Sequence, residues 1–133
     1  MLTTNGIPPK LAGRECQELI CQQYYQNGKL VQEVDVLCVK ANEKWHELYF
    51  ENSTVFWRHQ DEGPAPNDIK EGDPFTYPLI DLGSKYNLKG QIILDYETAS
   101  LADGVKVSFL FEKGDKIVVR SVENQTRLQH LKV

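Results

Sequence analysis

The stretch KWHELYFENSTVFWRHQ, residues 44–60, is the clearest guide to the fold of this 133-residue chain. Apolar and polar residues alternate on both sides of Asn52-Ser53, which is typical of two strands joined by a tight turn. With Asn52 and Ser53 at the centre of the turn, Glu47 lies directly opposite Arg58. The opposite charges of these two residues support this register, so we predict a β-hairpin over residues 44–60.

Both faces of the predicted hairpin carry large apolar side chains. The first face carries Leu48, Phe50, Val55 and Trp57. Aromatic side chains beside aliphatic ones are what a small β-domain buries, so we assign this face to the core. The second face carries Trp45, Tyr49 and Phe56 around Glu47 and Arg58. Two interpretations stay open: the hairpin is buried on both sides, or its second face offers an aromatic patch to a partner.

The same register places His46 opposite His59. Directly opposed side chains have Cβ atoms about 4.5 to 5.5 Å apart, so the two imidazoles could share a proton or a metal ion. A metal site needs a third or fourth ligand, and the sequence places no Cys or Asp there to supply one. We therefore predict no metal site and keep His46 and His59 as candidate ligands for a small molecule.

A second hairpin is predicted upstream, because Asn27-Gly28 is a residue pair that a type I′ turn prefers. This turn predicts the pairs Tyr25 with Leu30, Cys21 with Val34 and Leu19 with Val36. An alternative is an N-terminal helix, since residues 11–24 also place apolar residues at roughly helical spacing. Either interpretation leaves residues 29–60 as three strands.

The second half of the chain continues the β pattern. Residues 61–74 are rich in Pro, Gly and acidic residues and predict an exposed loop without a calcium-binding pattern. A short strand or a helical turn is expected around Leu79 to Leu82. Strands are then predicted at residues 91–97, 105–112, 116–122 and 126–131. A three-residue loop at Lys113-Gly114-Asp115 predicts the pairs Phe111 with Ile117, Phe109 with Val119 and Glu112 with Lys116.

These segments predict a mainly β fold. We expect residues 1–133 to form a single β-rich domain, because seven or eight short strands joined by hairpin-length turns favour an antiparallel meander around one core. The meander would curl into a barrel or a sandwich. The N-terminal helix at residues 11–24 remains the alternative for that segment.

Composition limits the class of protein. The net charge of −4 disfavours binding to nucleic acid, because phosphate neutralisation needs a basic face. The three cysteines lack CxxC spacing, so we expect reduced thiols in the cytoplasm, with no disulfide framework and no zinc site. Neither a signal peptide nor an apolar run of membrane-spanning length is recognisable, which favours a soluble protein without membrane contact.

The sequence carries no recognisable catalytic or cofactor motif, so we expect no cofactor and favour a protein that is not an enzyme. The leading hypothesis is a non-enzymatic intracellular protein-binding domain, such as an acidic inhibitor or immunity-type partner of a basic protein. The predicted interface is Trp45, Glu47, Tyr49, Phe56 and Arg58. The alternative is a small-molecule-binding β-barrel, or an enzyme built on one, with His46, His59 and Arg58 near its mouth. Nothing in the sequence sets the oligomeric state.

Overall fold

The computed structural model describes residues 2–66 and 70–133, and most of these residues lie in β-strands. The described part of the chain contains twelve strands and one short helix. The elements are β1 (Thr3–Asn5), β2 (Arg14–Glu15), β3 (Glu18–Gln26), β4 (Lys29–Ala41), β5 (Lys44–Glu51), β6 (Thr54–Gln60), β7 (Phe75–Thr76), β8 (Leu79–Asp81), α1 (Leu82–Lys85), β9 (Ile92–Leu101), β10 (Gly104–Phe111), β11 (Asp115–Val122) and β12 (Gln125–Lys132).

The strands form two sheets. The first sheet has the order β1-β6-β5-β4-β3-β7, and β8 also pairs with β3; the second has the order β12-β11-β10-β9-β2. Side chains from both sheets meet in one core, and its largest members are no more than 2% exposed. They include Leu19, Leu37, Leu48 and Trp57 from the first sheet, and Ile93, Phe109, Phe111 and Ile117 from the second.

The prediction of a mainly β, antiparallel fold is confirmed. The described strands form two antiparallel-rich sheets and no closed barrel, so the barrel alternative is not supported. Eight of the strands have seven or more residues, and the four others have two or three. Of these four short strands only β8 was anticipated, because two or three residues are too few to show alternation. One of them is β1, which pairs in parallel with β6.

The hairpin over residues 44–60 has the predicted register. Glu47 pairs with Arg58, and His46 pairs with His59. Asn52 and Ser53 have φ values of 50° and 65°, the positive values that both central residues of a type I′ turn require. The three strands predicted for residues 29–60 are also present.

Residues 11–24 are not a helix. Their backbone groups bond to both sheets instead: the Cys16 N–H donates to the carbonyl of Gln91 over 2.8 Å, and the Gln17 N–H donates to that of Lys40 over 2.8 Å. The chain therefore crosses from the second sheet to the first at Cys16 and Gln17. A helix would have kept these hydrogen bonds within the segment.

The register of the upstream hairpin, between β3 and β4, was predicted correctly only beside its turn. Tyr25 pairs with Leu30 as expected. Further along, the observed pairs are Cys21 with Leu37 and Leu19 with Val39, so the predictions of Val34 and Val36 as partners were wrong. The cause is a pair of register shifts between Gln22 and Tyr25, which leave additional residues on β4.

Those additional residues join β4 to β12, at the edge of the second sheet. The Thr126 N–H donates to Gln32 Oε1 over 2.8 Å, and the Leu128 N–H donates to Glu33 Oε1. The Val34 N–H donates to Thr126 Oγ1 over 2.9 Å, and that hydroxyl lies 2.8 Å from the Val34 carbonyl oxygen. We call this set of contacts the β4–β12 seam.

The hairpin between β10 and β11 also differs from its prediction. Its loop has three residues, but they are Glu112 to Gly114, so that Phe109 pairs with Ile117 and Leu110 with Lys116. Gly114 has a φ of 92° and occupies the last loop position, where this kind of loop needs a left-handed residue. The sequence-based register had placed the glycine in the middle of the loop.

The remaining predictions concern the connection between the two sheets. A short strand and a helical turn are both present around Leu79 to Leu82, as β8 and α1. The α1 N-terminus is capped by Asp81, whose Oδ1 accepts the Ser84 N–H over 3.1 Å. Residues 61–66 and 70–74 contain no strand or helix and are mostly exposed, as predicted for the loop. Residues 67–69 of that predicted loop, including Asp68, lie outside the described residues.

Thr126→Val tests the β4–β12 seam. The substitution removes the hydroxyl but keeps a β-branched side chain, so two buried backbone groups of Val34 lose their partner. We expect the free energy of unfolding to fall by about 1–3 kcal/mol, measured by urea denaturation. Thr54→Val is the matched control, because Thr54 is a half-buried strand residue without a side-chain hydrogen bond among the described residues. Equal losses in the two variants would contradict the role of the seam.

Candidate functional site

The outer face of the β5–β6 hairpin, which points away from the core, carries a stacked aromatic pair. The Tyr49 and Phe56 rings lie 5.0 Å apart with an angle of 4° between their planes. Arg58 Cζ lies 5.5 Å from the centre of the Phe56 ring, within the range of a cation–π contact. All three side chains are half-buried, so they form a continuous surface of two aromatic rings and one cation.

Arg58 and Glu47 are paired in register, but their side chains point to different partners. The guanidinium donates from Nη2 to Asn5 Oδ1 over 2.7 Å and from Nη1 to the Trp57 carbonyl over 2.8 Å. These bonds direct it toward β1. Among the described residues, no ion pair within 4 Å involves the Glu47 carboxylate.

Trp45 belongs to the same outer face but is only 7% exposed. The cover is the loop that follows β6: a Cβ atom built on Gly63 would lie 2.6 Å from Cζ2 of the Trp45 ring. Only a residue without a side chain fits against the indole at this distance. The structure therefore places Trp45 beneath the loop, whereas Tyr49 and Phe56 remain accessible.

Between the loop and the first sheet lies a groove of about 700 Å³, which we call the acidic groove. Its floor comes from β3, β4 and β5, and its wall from residues 60–65. Three carboxylates, those of Glu47, Asp61 and Glu62, line it, and no Lys or Arg is among its described lining residues. Asp61 and Glu62 are exposed and Glu47 is half-buried. The groove is therefore a site of concentrated negative charge.

Cys38 lies on the floor of the groove but is only 2% exposed. Burial, together with the nearby charge of Glu47, raises the pKa of its thiol to about 12. Burial also raises the pKa values of Cys16 and Cys21 to about 12. Because the thiolate is the nucleophilic form, these three side chains are unsuited to nucleophilic chemistry near neutral pH.

The two histidines bond to each other on the inner face of the hairpin. Nδ1 of His46 lies 2.7 Å from Nδ1 of His59, and Nε2 of His59 lies 3.0 Å from the carbonyl oxygen of Ile7. The N-terminal segment approaches β6 closely here: a Cβ atom on Gly6 would lie 2.1 Å from the Trp57 carbonyl oxygen. The histidine pair therefore links β5, β6 and the segment that follows β1.

The hydrogen-bond partners indicate where the ring hydrogens of the histidine pair lie. The Ile7 carbonyl can only accept, so Nε2 of His59 carries a hydrogen, and a single hydrogen lies between the two Nδ1 atoms. If both rings were charged, two N–H groups would point at each other. Burial, together with the nearby charges of His59 and Lys44, lowers the pKa of His46.

Neither histidine lines any of five cavities of about 180 to 700 Å³ bordered by described residues. The described part of the chain also holds no group of three or more His, Cys, Asp or Glu side chains arranged to bind a metal ion. No helix in residues 2–66 or 70–133 has the length and apolar character needed to cross a membrane.

A polar cluster that sequence reasoning missed surrounds Asp115, which is 4% exposed at the start of β11. Its carboxylate accepts hydrogen bonds from Gln91 Nε2 over 3.0 Å, from His130 Nε2 over 2.8 Å and from Lys132 Nζ over 3.1 Å. The His130 ring also stacks on Tyr86, with ring centres 4.1 Å apart. The cluster ties β12 to β11 and to the segment after α1.

The Asp115 cluster has the character of a structural network. Its hydrogen bond from Gln91 is the largest cause that lowers the pKa of Asp115, and His130 and Lys132 add to it, so that the pKa falls to about 2 despite burial. The sequence did contain a signal for this cluster. His130 and Lys132 lie two residues apart on β12, so both side chains face the same side of the sheet. Their common partner, Asp115, could not be predicted, because the sequence did not reveal the register of the β10–β11 hairpin.

Comparison of the chain with protein-family models, with curated proteins and with solved structures finds no match.

His46→Gln tests the proton balance of the histidine pair, because glutamine keeps a hydrogen-bond donor without titrating. The lowered pKa of His46 means that the unfolded chain, with an ordinary histidine pKa of about 6.5, binds a proton more readily than the folded protein. The stability that His46 contributes is therefore present above about pH 6.5 and lost as the pH falls below it. Melting temperatures between about pH 7.5 and 5 should decline less steeply in the variant. Identical slopes would contradict this assignment.

Asp115→Asn tests the Asp115 cluster. We expect the free energy of unfolding near neutral pH to fall by about 1–3 kcal/mol, because three donors lose a charged acceptor. The lowered pKa makes this contribution present above about pH 4 and lost as the pH falls toward 2. Denaturant unfolding should therefore show the wild type and the variant converging between about pH 4 and 2. A difference that stays constant with pH would show that the carboxylate charge is not the cause.

Proposed function

We propose that this protein is a non-enzymatic intracellular protein-binding domain that holds a basic partner protein at the acidic groove, in the manner of an inhibitor or immunity-type protein. One observation carries the proposal. Glu47, Asp61 and Glu62 line a groove of about 700 Å³, and no Lys or Arg is among its described lining residues. A basic side chain from another protein would supply the missing counter-charge.

The chemistry of the groove favours arginine or lysine over an apolar ligand. A carboxylate accepts two parallel hydrogen bonds from one guanidinium, and such charge-assisted bonds are stronger than neutral ones. Glu47 is half-buried, so solvent screens it less than it screens the exposed Asp61 and Glu62. We assign Glu47 the specific contact at the floor of the groove. The two loop carboxylates attract the basic partner from a distance and raise its association rate.

The aromatic surface beside the groove supplies contact area. Tyr49 and Phe56 are stacked and already ordered, so little side-chain entropy is lost when they are covered. Arg58 is held over Phe56 by its bonds to β1 and offers its remaining N–H groups to the partner's backbone. Trp45 acts differently in this proposal, because it supports the loop wall from beneath.

Among the residues that the structure describes, no comparable feature favours the small-molecule alternative. That hypothesis needs a deep apolar pocket reached by both His46 and His59, with Arg58 near its mouth. The two histidines bond to each other, and Arg58 bonds to Asn5 on the outer face. We therefore keep protein binding as the proposed function.

The triple variant Glu47→Gln, Asp61→Asn, Glu62→Gln tests the proposal. We expect it to bind a fluorescein-labelled peptide of alternating arginine and glycine about tenfold or more weakly than the wild type, measured by anisotropy at low salt. Affinity of the wild type should fall as salt is added. Native-source copurification with immobilised protein should recover a basic protein that the triple variant loses.

A matched control removes the same charge elsewhere. Asp103→Asn, Glu112→Gln, Glu123→Gln neutralises three exposed acids at the turns of the second sheet. This control should bind the peptide like the wild type. If both triple variants weaken binding equally, net charge and not the groove is responsible, and the proposal fails.

A further inference from the structure

A row of three cations crosses the outer face of the second sheet. In the observed register, Lys106 lies directly opposite Arg120, and Arg120 lies directly opposite Arg127. The row runs across β10, β11 and β12, and neighbouring strands lie about 4.8 Å apart. On the fourth strand, β9, the row ends at the uncharged Ala99. We call these three residues the cationic row.

The cationic row is unfavourable in the free protein. Like charges directly opposite each other destabilise an antiparallel pair. Arg120 donates to Gln129 Oε1 over 3.0 Å, and Arg127 donates to the Thr126 carbonyl over 2.8 Å. Among the described residues, none of the three cations has a carboxylate within 4 Å, although the chain has 19 acidic residues and only 15 Lys and Arg. An anionic partner would remove this repulsion.

A second feature lies next to the row on the same face. A pit of about 310 Å³ lies between β9 and the neighbouring strands. It is lined by Asp95, Tyr96, Glu97, Ser108, Leu110, Lys116 and Val133. Ser108 is only 4% exposed, and its hydroxyl is the one buried side-chain polar atom in the described part of the chain that lacks a hydrogen-bond partner. An unsatisfied buried hydroxyl costs free energy unless a ligand supplies the partner.

We propose that the outer face of the second sheet is an interaction surface for an acidic protein segment. Carboxylates of this segment would lie along the cationic row, and an adjoining apolar side chain would enter the pit, where Leu110 supplies apolar contact. The bound segment would bring a hydrogen-bonding group to the Ser108 hydroxyl. Asp95 and Glu97 would repel a segment placed in the reverse direction, so the charges also set its orientation.

An acidic protein segment fits this surface better than a nucleic acid. Sequence-tolerant nucleic-acid binding combines a basic groove with aromatic rings on which bases stack. The outward positions of β10, β11 and β12 hold Gly, Lys, Arg, Ser, Val, Leu and Gln but no aromatic residue. Tyr96 borders the pit, but its ring stacks on the core residue Phe109 and is not free to stack on a base. The surface is separate from the acidic groove on the first sheet, so this inference does not depend on the proposed function.

The test uses a short fluorescein-labelled peptide of glutamates that ends in leucines, with the full chain and fluorescence anisotropy at low salt. The wild type should bind this peptide, and the double variant Arg120→Gln, Arg127→Gln should bind it about tenfold or more weakly. A control that loses the same charge elsewhere, Lys10→Gln, Lys29→Gln, should bind like the wild type, because both lysines are exposed outside the row. A peptide with glycines in place of leucines should bind more weakly than the original.

Thermal unfolding separates a loss of binding from a loss of folding. The Arg120→Gln, Arg127→Gln variant should melt at the wild-type temperature or above it, because the substitutions relieve like-charge repulsion. Ser108→Ala should also keep or raise the melting temperature, since it removes an unsatisfied hydroxyl, and it should weaken peptide binding. A melting temperature that is kept or raised, together with weaker peptide binding, is expected of residues that bind a partner and not of residues that stabilise the fold.

Four results would overturn the inference. They are no binding of the acidic peptide by the wild type, equal binding by the double variant, equal binding by Ser108→Ala, and binding of a labelled oligothymidine in preference to the acidic peptide. Each is distinct from a failure of the proposed function, which is measured with a basic peptide and with variants of the first sheet.

Discussion

With β5 held in place, a slip of one residue between β5 and β6 would turn Trp57 toward solvent and carry Arg58 into the core opposite Leu48. The register of this hairpin is therefore the constraint on which the arrangement of the first sheet depends. It sends one face into the core, where Leu48 and Trp57 are almost fully buried. The other face keeps the stacked rings of Tyr49 and Phe56 half-exposed beside the acidic groove.

The β4–β12 seam joins the two sheets along one side, and the crossing of the chain at Cys16 and Gln17 joins them along another. The seam gives hydrogen-bond partners to two N–H groups of β12 that would otherwise point away from its own sheet, which also protects an edge strand from pairing with other chains. The outer face of the first sheet carries the acidic groove, and the outer face of the second sheet carries the cationic row.

Local patterns were enough to predict much of this structure. The pair Asn52-Ser53 predicted the turn of the central hairpin, and the matched charges of Glu47 and Arg58 predicted its register. Alternation likewise located the eight long strands. The register shifts in β4 could not be predicted, because the residues around them bond to β12, about ninety residues away along the chain.

Some properties of the predicted site residues could not be predicted from the sequence, because they depend on side-chain contacts between segments that are distant in the chain. Trp45 belongs to the predicted face, but its cover by Gly63 depends on the path of an irregular loop. Arg58 was placed correctly in register, yet its bonds to β1 could not be anticipated, since Thr3–Asn5 is too short to read as a strand. The Asp115 cluster was missed for a related reason, because the β10–β11 loop was placed one residue too late.

The central claim is that the outer face of the β5–β6 hairpin, together with the acidic groove, is where a basic partner binds. The most direct measurement is a nuclear magnetic resonance titration of the isotope-labelled protein with the arginine–glycine peptide, following the backbone amide shifts. Our account predicts that the largest shifts lie at Glu47, Asp61 and Glu62, with small shifts at the cationic row. Largest shifts elsewhere, or uniformly small shifts along the whole chain, would contradict it.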